Sequence, residues 1–255
     1  MRSLITLLSF LFLLQPALAS DIEREQRLAE QTEELIFDGE VIFLQASEHE
    51  FMNVYTETED DKAKGAAIIL HGRGYHPDWK QVAKPLRLGL PEEGWTTLSM
   101  QMPVLDKQAK YYDYVKIMPE AFPRIEAGID FLKEEGFEKI VLIAHSCSAH
   151  MVMAWLDAGR FRDVDAFIGI GMGATDYKQP MAKPMPLDKL SIPVLDVYGS
   201  SEYPAVARGA GERLEFIEKA DNKKSSQIIV PEADHYFTDQ DEALLEEVIE
   251  WLRGL

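Results

Sequence analysis

The 255 residues carry 44 carboxylates against 26 lysines and arginines, a formal charge of −18, with 46% hydrophobic and 27% charged side chains. That is the composition of a folded chain with enough apolar material for a full core, and its acidity argues against nucleic acid or anionic membrane surfaces as partners. Cys147 is the only cysteine, so an intramolecular disulfide is excluded.

In chain order, the first 19 residues read as a cleavable signal peptide. Arg2 gives a positive start, Leu4 to Leu14 is almost wholly apolar, and Pro16 precedes the small-x-small run Ala17-Leu18-Ala19. The apolar run is too short to span a bilayer comfortably. The expectation is export to the periplasm or beyond, with residues 20–255 forming one domain without a membrane span. Residues 21–35 then read as an exposed helix with a thin apolar stripe of Ile22, Leu28 and Leu35. Strands are expected at 40–45 and 50–56, where Phe51, Asn53 and Tyr55 alternate as in a half-buried antiparallel strand.

From Ala66 onward, apolar strands alternate with helical stretches. Strands are expected at 66–70, 95–101, 139–144, 164–170, 192–198 and 226–230. Helices are expected at 79–88, 120–135, 146–158, about 207–219 and 241–252. This alternation predicts a mostly parallel sheet covered by helices on both faces, with the first two strands as an antiparallel edge. The Pro- and Met-rich residues 172–190 are the only lid candidate, and a short one.

The most informative stretch runs Ile140-Val141-Leu142-Ile143-Ala144-His145-Ser146-Cys147-Ser148-Ala149. A buried strand ends in small-x-Ser-x-small and a helix begins at once, the setting in which a nucleophilic serine sits on a sharp, strained turn. Only Ser146 has small residues on both sides; Cys147 is flanked by His145, and Ser148 by His150. The amide of Cys147 can donate to a developing oxyanion, and the glycine-flanked His71-Gly72-Arg73-Gly74 loop offers a second donor at Arg73, or failing that at Gly74. The acid and base should follow in that order at strand ends. Glu202 lies three residues past Gly199, and His235 follows the strand ending at Val230. Asp196, inside a strand, and Asp234, beside His235, are the other acids weighed. His71, His76 and Asp78 can be drawn together as a metal site, but nothing in the sequence anchors that geometry. The glycines at 169, 171 and 173 read as room for backbone near the site rather than as a dinucleotide loop. Tyr111, Tyr112 and Tyr114 line a substrate groove or lie on a surface loop.

On these residues the chain resembles the α/β-hydrolase superfamily across residues 66–255, through His71-Gly72, the turn from Ala144 to Ala149, Gly199 to Glu202, and Asp234-His235. Through Pro77-Asp78-Trp79 and Gly94 to Leu98 it is similar to an uncharacterised family of exported bacterial hydrolase-like proteins. The resemblance implies a serine enzyme cleaving a small ester or thioester without metal or organic cofactor. Ala144 and Ser148 stand where the superfamily usually has glycine, and Glu202 where aspartate is commoner. The alternative from a different class is a non-catalytic binding or envelope-assembly protein on the same fold, and a peptidase is a third reading.

Overall fold

The computed structural model describes residues 19–255; the expected signal peptide therefore lies, but for Ala19, outside the described residues. Helix α1 (Ile22–Glu33) leads into strands β1 (Glu40–Ala46), β2 (His49–Thr56) and β3 (Gly65–Leu70). There follow α2 (Ala83–Glu92), β4 (Trp95–Met100), α3 (Tyr111–Ile117), α4 (Ala121–Glu134), β5 (Ile140–His145), α5 (Cys147–Asp157) and β6 (Ala166–Ile170). The chain closes with β7 (Val194–Gly199), α6 (Pro204–Lys219), β8 (Ser226–Val230) and α7 (Asp241–Arg253).

The strands form one eight-stranded sheet in the order β1-β2-β4-β3-β5-β6-β7-β8. β2 runs antiparallel to both β1 and β4, while β3 to β8 are mutually parallel. The apolar runs dictate this arrangement, because every residue of β3, β5, β6 and β7 is buried and needs cover on both faces. Alternate side chains of β3 go to opposite faces. Ala66, Ile68 and Leu70 join the cluster built with α4 and α5, whereas Ala67 and Ile69 join the one built with α2 and α7. The helix after β3 thus covers one face and the helix after β5 the other. The two strands are neighbours, with Leu70 opposite Ala144, so their carboxyl ends open a crevice at a topological switch point.

Three local differences from the sequence pattern have physical causes. The helix expected at 79–88 begins at Ala83, because Trp79 is stacked on Tyr75 at 3.9 Å and Val82 turns the chain at φ 64°. Residues 111–117, with no clear periodicity, form α3, whose start is fixed by the Asp113 carboxylate accepting from the Lys110 amide at 2.9 Å. Helix α1 is anchored more by polar bonds than by its apolar stripe. Buried Glu25 pairs with Arg124 at 2.7 Å and accepts from the Val104 amide at 3.1 Å. Among the described residues no helix is long and apolar enough to cross a membrane.

Candidate active site

β5 is apolar and extended until His145, and α5 starts at Cys147, which leaves Ser146 alone to turn the chain. It does so at φ 54°, ψ −112°, a conformation that costs an L-residue about 1–3 kcal/mol and is held only by its surroundings. The Ser146 amide donates to Ile170 O at the end of β6 (2.8 Å), which fixes the turn from the neighbouring strand. The two departures from glycine find room here. Ala144 is part of the apolar core, and the Ser148 hydroxyl donates to the carbonyl of His71 at 2.5 Å, tying α5 to the end of β3.

Ser146 Oγ lies 2.8 Å from His235 Nε2. The other ring nitrogen, Nδ1, faces the Glu202 carboxylate at 2.8 and 3.0 Å. The carboxylate also accepts from the Tyr203 amide at 2.7 Å. Glu202 stands past the end of β7 and His235 past the end of β8. Their loops are joined by backbone bonds from Ser200 to Val230 and from Ser201 to Ala233, each 2.9 Å. Gly199 permits that approach, since a Cβ there would lie 2.1 Å from Ala233 O. At Gly171, φ +58°, a Cβ would meet Glu202 Oε1 at 2.8 Å and the His235 ring at 3.0 Å, so this glycine makes room for the acid–imidazole pair. Tyr203 stacks on the His235 ring at 4.4 Å and donates to the Tyr236 hydroxyl at 3.0 Å. The sequence held no sign of Tyr203, Tyr75 or Tyr236 around the site, because three tyrosines in three loops make no periodic pattern.

The other acids weighed go elsewhere. Asp196 is fully buried against Arg213 (2.7 Å) and Gln227 (2.7 Å), while Asp234 accepts from the amides of Tyr236 and Thr238. His145 donates from Nε2 to the carbonyl of His235 (2.9 Å), and burial pushes its pKa down to about 3, so it holds the histidine loop as a neutral ring. Burial likewise pushes the Cys147 thiol up to about 12, leaving no thiolate to attack. His71 donates from Nδ1 to Gly72 O (2.7 Å) and accepts the Met102 amide at Nε2 (2.9 Å), with its pKa pushed down to about 3 by burial. His76 meets Thr32 and Asp78 meets Arg87, so these three side chains do not converge.

Arg73 and Cys147 line, with Ser146, His235 and Tyr203, a narrow space of about 40 Å³. Neither amide has an acceptor among the described residues. Ser146 itself is 8% exposed, so this space admits a reacting centre and little more. The Arg73 guanidinium is paired with Asp176 at 3.1 and 3.3 Å, and Asp176 also accepts from the Tyr111 amide. Burial pushes the Asp176 carboxyl up, but Arg73 and that amide outweigh it and hold it below the usual range. Residues 172–190 form a wall rather than a lid. Tyr111 is buried with its hydroxyl accepting from the Ala182 amide (3.0 Å), Tyr114 accepts from the Leu105 amide (2.9 Å), and the exposed Tyr112 donates to Pro180 O (3.1 Å).

The same fold occurs in solved structures at low identity. An α/β serine hydrolase homologue from Coxiella burnetii is 18% identical over 84% of this chain and 98% of its own, with a TM-score of 0.61. Est1E from Butyrivibrio proteoclasticus is 17% identical over 85% and 98%, with a TM-score of 0.64. A serine hydrolase without lid from Xanthomonas campestris is 15% identical over 86% and 95%, with a TM-score of 0.62. These likenesses show the α/β-hydrolase fold. No curated protein matches the chain. The family model described as "Protein of unknown function (DUF3530)" matches residues 15–121 and 106–254, and the chain belongs to that family.

Proposed function

We propose that this protein is a serine hydrolase that cleaves a carboxylic ester or thioester through an acyl-enzyme, exported by its signal peptide to the periplasm or beyond. The observation that carries the reading is the continuous chain of hydrogen bonds from Ser146 Oγ through His235 to Glu202, starting on a strained strand-to-helix turn. In this reading His235 Nε2 takes the proton of Ser146 as Oγ attacks the carbonyl carbon. Glu202 fixes the tautomer with the proton on Nδ1 and stabilises the imidazolium. The tetrahedral oxyanion is held by the amides of Cys147 and Arg73, the former at the positive end of α5. His235 then returns the proton to the departing alcohol or thiol, and water enters to release the acid by the same steps reversed.

Export is supported by the leader pattern of residues 1–19. The test is a fluorophosphonate probe on the purified mature protein beside Ser146→Ala and His235→Ala. Stoichiometric labelling of the wild type, absent from both variants, is expected. A folded wild type that takes no label would sink the hydrolase reading and favour a binding or envelope-assembly role on the same fold.

A further inference from the structure

The space at Ser146, about 40 Å³, is too small for the substituents on either side of a scissile carbonyl. Two larger clefts adjoin it. One of about 400 Å³ opens past Tyr111 and is walled by Val115, Met118, Phe122, Met153 and Met185; the charges on its rim, Lys183 and Asp157, are paired with each other at 3.0 Å. The other, of about 510 Å³, opens past Arg73, Thr175 and Tyr203 and is lined by Asp176, Lys178 and Arg208. Its balance inverts that of the molecule. The chain as a whole carries −18, yet this cleft presents three cations against one carboxylate, and that carboxylate is occupied by Arg73. Arg208 and Lys178 are exposed, and neither makes an ion pair or a side-chain hydrogen bond to another described residue. Lys178 stands over the exposed ring of Tyr177, its Nζ 4.9 Å from the ring centre.

In a molecule that carries −18 overall, two uncommitted cations beside the candidate nucleophile favour a negative group on that side of it. A guanidinium suits a planar carboxylate in particular, through paired N–H donors. We infer that the Arg73–Lys178–Arg208 cleft is a subsite for a carboxylate on the substrate, so that the preferred ester joins an apolar portion, seated past Tyr111, to a portion bearing a carboxylate. This inference rests on the serine-hydrolase reading and narrows its substrate class.

Two matched pairs of esters test it from both ends: 4-nitrophenyl butyrate against 4-nitrophenyl hydrogen succinate, and phenyl acetate against 4-carboxyphenyl acetate. In at least one pair, kcat/KM is expected to favour the anionic member about three- to fivefold, the scale of an exposed charge pair. That ratio should shrink as salt is raised and fall to about one in the Arg208→Ala/Lys178→Ala double variant. Both side chains are exposed and free of contacts that hold the fold, and the melting temperature of the double variant checks this. A preference for the neutral member in both pairs, or a preference indifferent to the double variant, overturns the inference while leaving the hydrolase reading intact. Calorimetry on Ser146→Ala separates the two. Tighter binding of the anionic ester, lost when Arg208→Ala and Lys178→Ala are added, supports the subsite whether or not the wild type turns over. Equal binding of both esters rules it out.

Discussion

The two sides of Ser146 are built in different ways. The Glu202–His235 side comes from the ends of adjacent strands β7 and β8, whose loops are joined directly by backbone bonds and by the Ser200 hydroxyl accepting the Glu232 amide at 2.8 Å. The Arg73 side is a loop held from a distance. Arg24 of α1 donates to Gly74 O at 2.8 Å and to the carbonyl of Leu105, Ser148 of α5 reaches His71 O, and Asp176 of the 172–190 wall pairs with Arg73 itself. The side proposed to transfer the proton follows mainly from sheet topology, while the side proposed to bind the oxyanion depends on an N-terminal helix laid against it.

The largest expected effect strikes the first side. Glu202→Gln keeps the volume of a side chain that is fully buried but removes its charge and lets an N–H face His235. With the imidazole no longer held in the right tautomer, kcat is expected to fall by about 10³- to 10⁴-fold with KM little changed. A loss under about tenfold would mean that another group orients His235. The second effect strikes the other side through stability. Glu25→Ala leaves the Arg124 guanidinium, 6% exposed, without its carboxylate, and breaking such a pair costs about 3–5 kcal/mol. A urea midpoint unchanged from the wild type would show that α1 is a passive appendage.

The same contrast explains what could be read in the sequence. That Ser146, Glu202 and His235 meet was legible because each sits just past the end of an apolar run. The parallel sheet was legible from its uninterrupted strands. The role of α1 was not, since Arg24, Glu25 and Thr32 reach partners far along the chain and leave only a polar helix to be seen. Nor was the charge of the cleft beside Tyr203, because Arg73 and Lys178 come from two separate connections and Arg208 from α6, and they meet only in space. Ser148 stands where glycine is usual, and its bond to His71 O, invisible in the sequence, gives it a structural reason.

Both sides also share a pH liability. Burial pushes His71 and His145 down to about 3 and His150 to about 4, so all three are neutral in the folded chain near pH 5, while unfolded they titrate near 6.5. The unfolded state therefore takes up protons that the folded state refuses. Their contribution is complete above about pH 6.5 and is lost as pH falls toward about 4 for His150 and about 3 for His71 and His145. At about 1.4 kcal/mol per unit, a drop to pH 5 costs about 2 kcal/mol for each ring. Urea midpoints near pH 7 and pH 5 measure the slope. His150→Gln, which keeps a donor for Ala174 O, should make the slope shallower by about a third.

The smallest effect is the sharpest test of the comparison. If the Arg73 loop is positioned by α1, then Arg24→Ala frees the Gly74 carbonyl and lets the loop drift, at no cost to the bonds around His235. A displaced amide weakens an interaction that grows only as charge develops on the substrate oxygen, so kcat should fall about tenfold while KM stays near its wild-type value. The rate of fluorophosphonate labelling should fall in parallel, because the probe's own oxygen calls on the same donors. Arg24→Lys, which can still reach one of the two carbonyls, should recover part of the loss. A helix that merely adds stability would lower the melting temperature in Arg24→Ala and leave kcat alone, and the dependence of the Arg73 side on its N-terminal brace would then have to be abandoned.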